Sequence, residues 1–150
     1  MCVRLPGLQT ATIEPAKPYG LPLGVSTLAD ELRALGYRTA GFGKWHLGYC
    51  RAAYLPTARG FDAYFGFWNG AEHYSNHTRD PTLCPANFSA GLDYWNGTAA
   101  SGTAPVRDHD GTYSAVDLAA AAAAAVAAAD VATPLFTWVA FQVISQSRAA

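Results

Sequence analysis

Gly36-Tyr37-Arg38-Thr39-Ala40-Gly41-Phe42-Gly43-Lys44-Trp45-His46-Leu47-Gly48 decides how this chain folds. Gly36 closes a helical pattern, as a residue suited to the left-handed backbone just past a helix end. Tyr37–Phe42 then reads as a short strand, because Thr39 and the aromatics favour extended backbone. A helix that passes at once into a strand is half of an αβ unit. In open α/β sheets, ligands lie beyond the carboxyl ends of the strands, and Gly43–Gly48 leaves the strand at that end. If the backbone stays extended, Lys44 and His46 share one side and Trp45 turns the other way into packing.

Just upstream, Thr27 caps the helix, with Asp30 three residues on in a capping-box arrangement. Leu28, Leu32 and Leu35 recur at i, i+4 and i+7 and predict one apolar stripe. Residues 1–25 carry Pro6, Pro15, Pro18 and Pro22 and read as an irregular connecting segment. Downstream, Phe61, Tyr64, Phe65, Phe67 and Trp68 predict a wall or lid beside the strand end. Residues 69–111 lack periodicity and read as a long surface excursion. Ser114, with Asp117 at N3, predicts a helix through the alanine tract to about Ala129. Leu135–Phe141 is nearly continuously apolar, the pattern of a strand buried on both faces of a parallel sheet. The order helix, strand, long insertion, helix, strand predicts an α/β fold, with a mostly parallel sheet and flanking helices.

The totals restrict the partners. At 150 residues, 51% apolar and 14% charged, the chain is long enough for one globular domain. A net charge of −1 gives no reason to expect nucleic acid or an anionic membrane surface. No apolar run reaches the ~20 residues of a membrane span, and Met1–Pro6 has no apolar leader core. Three N-x-S/T sequons, at Asn76, Asn87 and Asn96, nevertheless fall within 23 residues. They point to glycosylation on the secretory route, or to chance in a polar loop. Secretory marks without a leader lead to the expectation that the natural start lies upstream. The three cysteines, Cys2, Cys50 and Cys84, fit a secreted piece with an orphaned partner and a reduced chain equally.

A lysine and a histidine held together at a strand end make an anion site. The ammonium supplies charge and three donors; the imidazole donates, or takes a proton near neutral pH. Aimed at developing negative charge, the pair stabilises a transition state. His73, His77 and His109 show no metal-ligand spacing, and His77, inside a sequon, reads as solvated. On these residues alone, functional and structural roles for Lys44 and His46 stand level.

Gly36-Tyr37-Arg38-Thr39 followed by Gly43-Lys44-Trp45-His46-Leu47-Gly48 resembles the second signature of the sulfatases. Tyr54-Leu55-Pro56-Thr57, Arg59-Gly60-Phe61-Asp62 and Tyr64-Phe65-Gly66 extend the match. With Glu72-His73-Tyr74-Ser75 the resemblance is to the arylsulfatase B (N-acetylgalactosamine-4-sulfatase) branch and its arylsulfatase I and J relatives. Residues 7–78 and 112–142 carry it, and 79–111 read as a variable, glycosylated insertion within a partial catalytic domain spanning 1–150. The resemblance implies an alkaline-phosphatase-like α/β fold and hydrolysis of sulfate esters, sulfated sugars among them, in a secreted or lysosomal setting. It implies a formylglycine nucleophile made from cysteine, and calcium held by acidic residues and an asparagine. Lys44 would bind a sulfate oxygen, and His46 would serve the formylglycine hydroxyl. Arg59 and Asp62 would pair to hold the loop.

The departures are as specific. None of Cys2, Cys50 or Cys84 lies in the family's Cys-x-Pro-Ser-Arg motif, and the calcium ligands have no counterpart. Ser145 stands where the family's Val-His-x-Pro places a sulfate-contacting histidine. The expectation is a central piece of an arylsulfatase, inactive alone for want of nucleophile and metal ligands. The rival expectation is a non-catalytic, degenerate sulfatase that binds sulfated glycans or anions through Lys44 and His46.

Overall fold

The computed structural model describes residue 13 and residues 17–79 and 91–142. Cys2, Cys84, Asn87 and Ser145 lie outside the described residues. Strands β1 (Arg38–Lys44), β2 (Ala63–Phe67), β3 (Trp95–Thr98), β4 (Gly102–Pro105) and β5 (Leu135–Ala140) form one sheet. Its order is β4-β3-β2-β1-β5. Strand β1 pairs in parallel with β2 and β5, while β2–β3 and β3–β4 are antiparallel. The sheet is therefore mixed. Its parallel half comes from the segments with a clear apolar pattern. Its antiparallel half comes from residues 91–105, which the sequence presents as patternless loop. Four-residue strands containing Asn96, Gly97 and Pro105 have little strand propensity of their own and depend on pairing to β2.

Helix α1 (Leu28–Ala34) lies on one face of the sheet and α2 (Ser114–Ala127) on the other. The α1 start follows the sequence. Thr27 Oγ1 accepts from Asp30 N at 3.1 Å, and Asp30 Oδ2 accepts from Thr27 N at 2.8 Å. The Thr27 hydroxyl also lies 2.9 Å from the Arg59 carbonyl oxygen. Thr27→Ala is expected to cost about 1 kcal/mol in urea unfolding, the usual worth of an N-cap.

Two of the three stripe leucines of α1 face outward, against expectation: Leu28 is 63% exposed and Leu35 73%, while Leu32 is half-buried. Ala29 is the buried residue, on the side where α1 passes close to the loop that leads into β2. A Cβ on Gly60 would lie 2.1 Å from Asp30 N. Ala29 packs with Trp45, Phe61 and Tyr64. On the opposite face Ala40, Phe42, Phe65, Phe67 and Tyr94 meet Leu118 and Ala122 of α2. The aromatic run thus forms core on both faces, and only Trp68 remains half-buried beside the strand end.

Three further expectations are corrected. Tyr113 is the N-cap of α2, and Ser114 is its first helical residue, with a fully buried hydroxyl. Strand β5 is half-buried, with Trp138 51% exposed; among the described residues it pairs on one edge only. Arg59 and Asp62 do not pair with each other. Arg59 donates to the carbonyls of Leu21, Pro22 and Val25. Asp62 Oδ2 accepts from Thr39 N at 2.9 Å, and its Oδ1 meets Arg33 Nε at 3.3 Å.

Candidate functional site

The site lies at the carboxyl end of β1. Gly43 has φ +94°, and a Cβ there would lie 2.1 Å from the Ala140 carbonyl oxygen, so only glycine lets β5 pass at this distance. Beyond Lys44, pairing toward the β2 side continues: Trp45 N donates to Phe67 O at 3.0 Å and His46 N to Trp68 O at 2.9 Å. Trp45 is buried, its indole Nε1 shared between the carbonyls of Tyr54 (2.9 Å) and Gly48 (3.1 Å). That fixes the loop on which Lys44 and His46 stand.

The strand-like alternation does not persist, because His46 adopts φ 56°. The two side chains converge nonetheless. A Cβ built on Gly70 would meet His46 Cε1 at 3.1 Å, Lys44 Nζ at 3.4 Å and His46 Nδ1 at 3.5 Å. The bare backbone of Gly70 is thus a floor over which ammonium and imidazole meet. His46 Nε2 lies 3.0 Å from the Ile13 carbonyl oxygen. A carbonyl only accepts, so Nε2 carries the hydrogen and a neutral ring keeps its lone pair on Nδ1. Burial, then the Lys44 charge, holds the His46 pKa below its ordinary 6.5. The arrangement is a cation beside a neutral, proton-accepting nitrogen.

Sequence reasoning missed two charged groups here. Arg79 adds positive charge at His46, and Asp93 negative charge. Asp93 is buried and accepts from Trp68 N, Asn69 N and Asn69 Nδ2, each at 2.9 Å, and from Trp95 Nε1 at 3.1 Å. It fixes the turn that carries Gly70. It also sets Trp68 face to face with Trp95, with centroids 3.9 Å apart and planes at 6°. Tyr49 stacks on Trp68 at 6.1 Å. These three half-buried rings are an aromatic wall beside the site. Contacts spanning more than 20 positions leave no local mark in a sequence.

The other histidines do not join Lys44 and His46. His77 is buried, contrary to its solvated reading, and stacks on Tyr94 at 4.0 Å. Its Nε2 donates to the His109 carbonyl at 3.1 Å, and its Nδ1 meets Glu72 Oε1 at 2.9 Å. Of the sequon asparagines, Asn76 and Asn96 are both exposed.

Calcium and a formylglycine nucleophile do not fit the residues described. Among them, no group of three or more His, Cys, Asp or Glu could hold a metal ion. Asp93 is committed to four N–H donors and Glu72 to His77. Cys50 is exposed and outside the nucleophile motif. No helix among the described residues is long and apolar enough to cross a membrane.

Comparison with known proteins completes the assignment. The chain is 38% identical over 140 residues to arylsulfatase J of Mus musculus, across 92% of this chain and 22% of that protein. The crystal structure of Ps i-CgsB superposes with a TM-score of 0.68 at 22% identity, covering 89% of this chain and 30% of that one. Ps i-CgsB in complex with k-i-k-neocarrahexaose gives a TM-score of 0.63 at 23% identity, over 83% of this chain and 28% of the other. These superpositions establish the fold. The Sulfatase family model matches residues 5–143, and with the glycine-bounded Lys44-Trp45-His46 turn at the end of β1, the chain belongs to the sulfatase family.

Proposed function

We propose that this chain is the substrate-side half of a sulfuric ester hydrolase and belongs to a longer, secreted or lysosomal arylsulfatase. The observation that carries the reading is that Lys44 Nζ and His46 Nδ1 converge on one point above Gly70, at 3.4 and 3.5 Å from a Cβ built there. The Lys44 ammonium binds a sulfate oxygen and offsets the negative charge that grows as the ester S–O bond breaks. His46, held neutral by burial and by Lys44, exchanges a proton through Nδ1 at the same spot. Nucleophile and calcium belong to parts of the parent enzyme other than the residues described, and this chain alone has no turnover. The wall of Tyr49, Trp68 and Trp95 supports a sugar-linked ester, since a pyranose ring presents an apolar face to aromatic rings. An oligosaccharide bound to the structural neighbour Ps i-CgsB favours the same class.

Titration with an aryl sulfate, followed by calorimetry and by the His46 ring resonances, tests the reading. Lys44→Ala is expected to weaken binding about tenfold, the worth of roughly 1.4 kcal/mol. Binding is expected to tighten as pH falls below 6.5, because a protonated His46 adds positive charge. His46→Gln should remove that pH dependence. Equal affinity for the wild type and Lys44→Ala would reject the site, and ester hydrolysis by the chain alone would reject its inertness.

A further inference from the structure

A second feature lies away from Lys44 and His46, on the α2 face of the sheet. One row of paired residues crosses all five strands there: Ala104, Asn96, Phe65, Phe42 and Val139. Directly paired residues share a face. Phe65 and Phe42 belong to the core under α2, so Asn96 also faces the α2 side. Helix α2 packs over β1, β2 and β5, and the β3–β4 hairpin extends beyond it. Between hairpin and helix is a groove of about 920 Å³, within the ~300–1,000 Å³ that small ligands occupy.

The alanine tract accounts for the space. Ala120, Ala121 and Ala124 line one side, where longer side chains would close the groove. Asp108 and His109 line another. His109 Nδ1 lies 2.5 Å from Asp117 Oδ2, a carboxylate that also accepts from the Tyr94 hydroxyl at 2.9 Å. The Asp117 contact takes the Nδ1 hydrogen, leaving Nε2 of the partly exposed ring to meet a hydroxyl or an amide. Asn96 itself is exposed and opens a sequon, and both Asn96 and Thr98 border the groove. Asn76 is exposed too, but it does not border the groove.

We propose that Asn96 carries an N-linked glycan whose first N-acetylglucosamine lies in this groove, so that the chain holds its own sugar between the β3–β4 hairpin and α2. Attachment forms a bond from Asn96 Nδ2 to sugar C1 and breaks the C1–O bond of a polyprenyl-diphosphate oligosaccharide donor. The amide gives up one proton and the diphosphate leaves. The sugar's apolar face meets the alanines and Phe65; its hydroxyls and acetamide meet Asp108 and the His109 nitrogen. The proposal rests on the secretory-route reading above.

The test is expression of the 150-residue chain, behind a secretion leader, in cells that N-glycosylate. Site occupancy is read by mass spectrometry of peptides. The expected result is an occupied Asn96. An endoglycosidase that leaves one N-acetylglucosamine should preserve the melting temperature, while Asn96→Gln should lower it by about 4 °C. Nuclear Overhauser contacts should connect the trimmed sugar to the His109 and Phe65 rings of the wild-type chain, a readout that needs no variant. Occupancy of Asn76 or Asn87 without Asn96 overturns this proposal alone. A sugar on Asn96 without contacts to those rings also overturns it alone. No occupied sequon in any molecule overturns it together with the secretory reading.

Discussion

Arg59→Ala is expected to lower the unfolding free energy by about 4 kcal/mol, a large share of the 5–15 kcal/mol that holds an ordinary domain together. Arg59 is only 4% exposed. Its Nη1 donates to Leu21 O at 3.0 Å, and its Nη2 to Val25 O at 2.5 Å and Pro22 O at 3.4 Å. One planar cation thus holds three carbonyls of the segment that leads into α1. Alanine would strand those carbonyls, and hydrogen bonds to a charged donor are worth about 1.5–3 kcal/mol each. The effect extends to the site. Leu21 N donates to Leu47 O at 2.8 Å, so the segment that Arg59 anchors also braces the loop after His46. Arg59→Lys should recover only a fraction, since an ammonium cannot reproduce the planar fork. Urea unfolding measures the loss, and a change below about 1 kcal/mol for Arg59→Ala would show that the carbonyls find water instead.

The second large effect is a loss of stability toward alkaline pH. Burial, with Asp93 adding to it, pushes the Glu72 carboxyl up from 4.5 to about 8. Geometry points the same way. His77 Nε2 donates to a carbonyl, so in a neutral ring Nδ1 accepts, and the hydrogen in the His77–Glu72 contact belongs to Glu72 Oε1. Burial likewise holds His77 below 6.5, which favours the neutral pair over the ion pair. Folded Glu72 keeps its proton where the unfolded chain has lost it. Its contribution is therefore complete below pH 4.5 and is lost as pH rises through about 8. The full span is on the order of 5 kcal/mol. The histidines slope the other way. With folded pKa values depressed, His46 and His77 contribute stability above 6.5 that is lost as pH falls. Chemical unfolding across pH should show greatest stability between about 4.5 and 6.5 and a marked decline by pH 8. Glu72→Gln keeps a donor for His77 Nδ1 without a titrating group and should flatten the alkaline limb. An unchanged alkaline limb in that variant would assign the decline to another group.

Much of the parallel half of the fold could be read from local chemistry. Thr27 and Asp30 form the capping box, Gly36 takes φ 86° after α1, and β1 begins within one residue of its expected start. These are short-range signals, and each has one structural solution. The Leu28-Leu32-Leu35 stripe misled because helical periodicity shows that a face is apolar, not which face the sheet receives. The buried contact of α1 is made by Ala29, against Trp45, Phe61 and Tyr64. The β3–β4 hairpin was illegible because its residues are poor strand formers, recruited by the free edge of β2. The convergence of the Lys44 and His46 side chains at the strand end was legible in their glycine-bounded spacing, although the expected extended backbone was replaced by a left-handed His46. Arg79, Asp93 and the buried Glu72–His77 pair were not, since each acts across the fold and none sits in a recognisable spacing.

The place of β1 also sets a timetable for synthesis. Its register partner Leu135 lies 97 positions after Arg38. At about 5–20 residues per second, a ribosome needs on the order of 5–20 seconds to cover that distance. Throughout that interval α1, β1 and β2 can assemble, while the edge of β1 destined for β5 waits with its peptide groups unpaired. Nascent chains stalled before residue 135 should consequently be held by chaperones or pair with one another, and chains released after β5 should be spared.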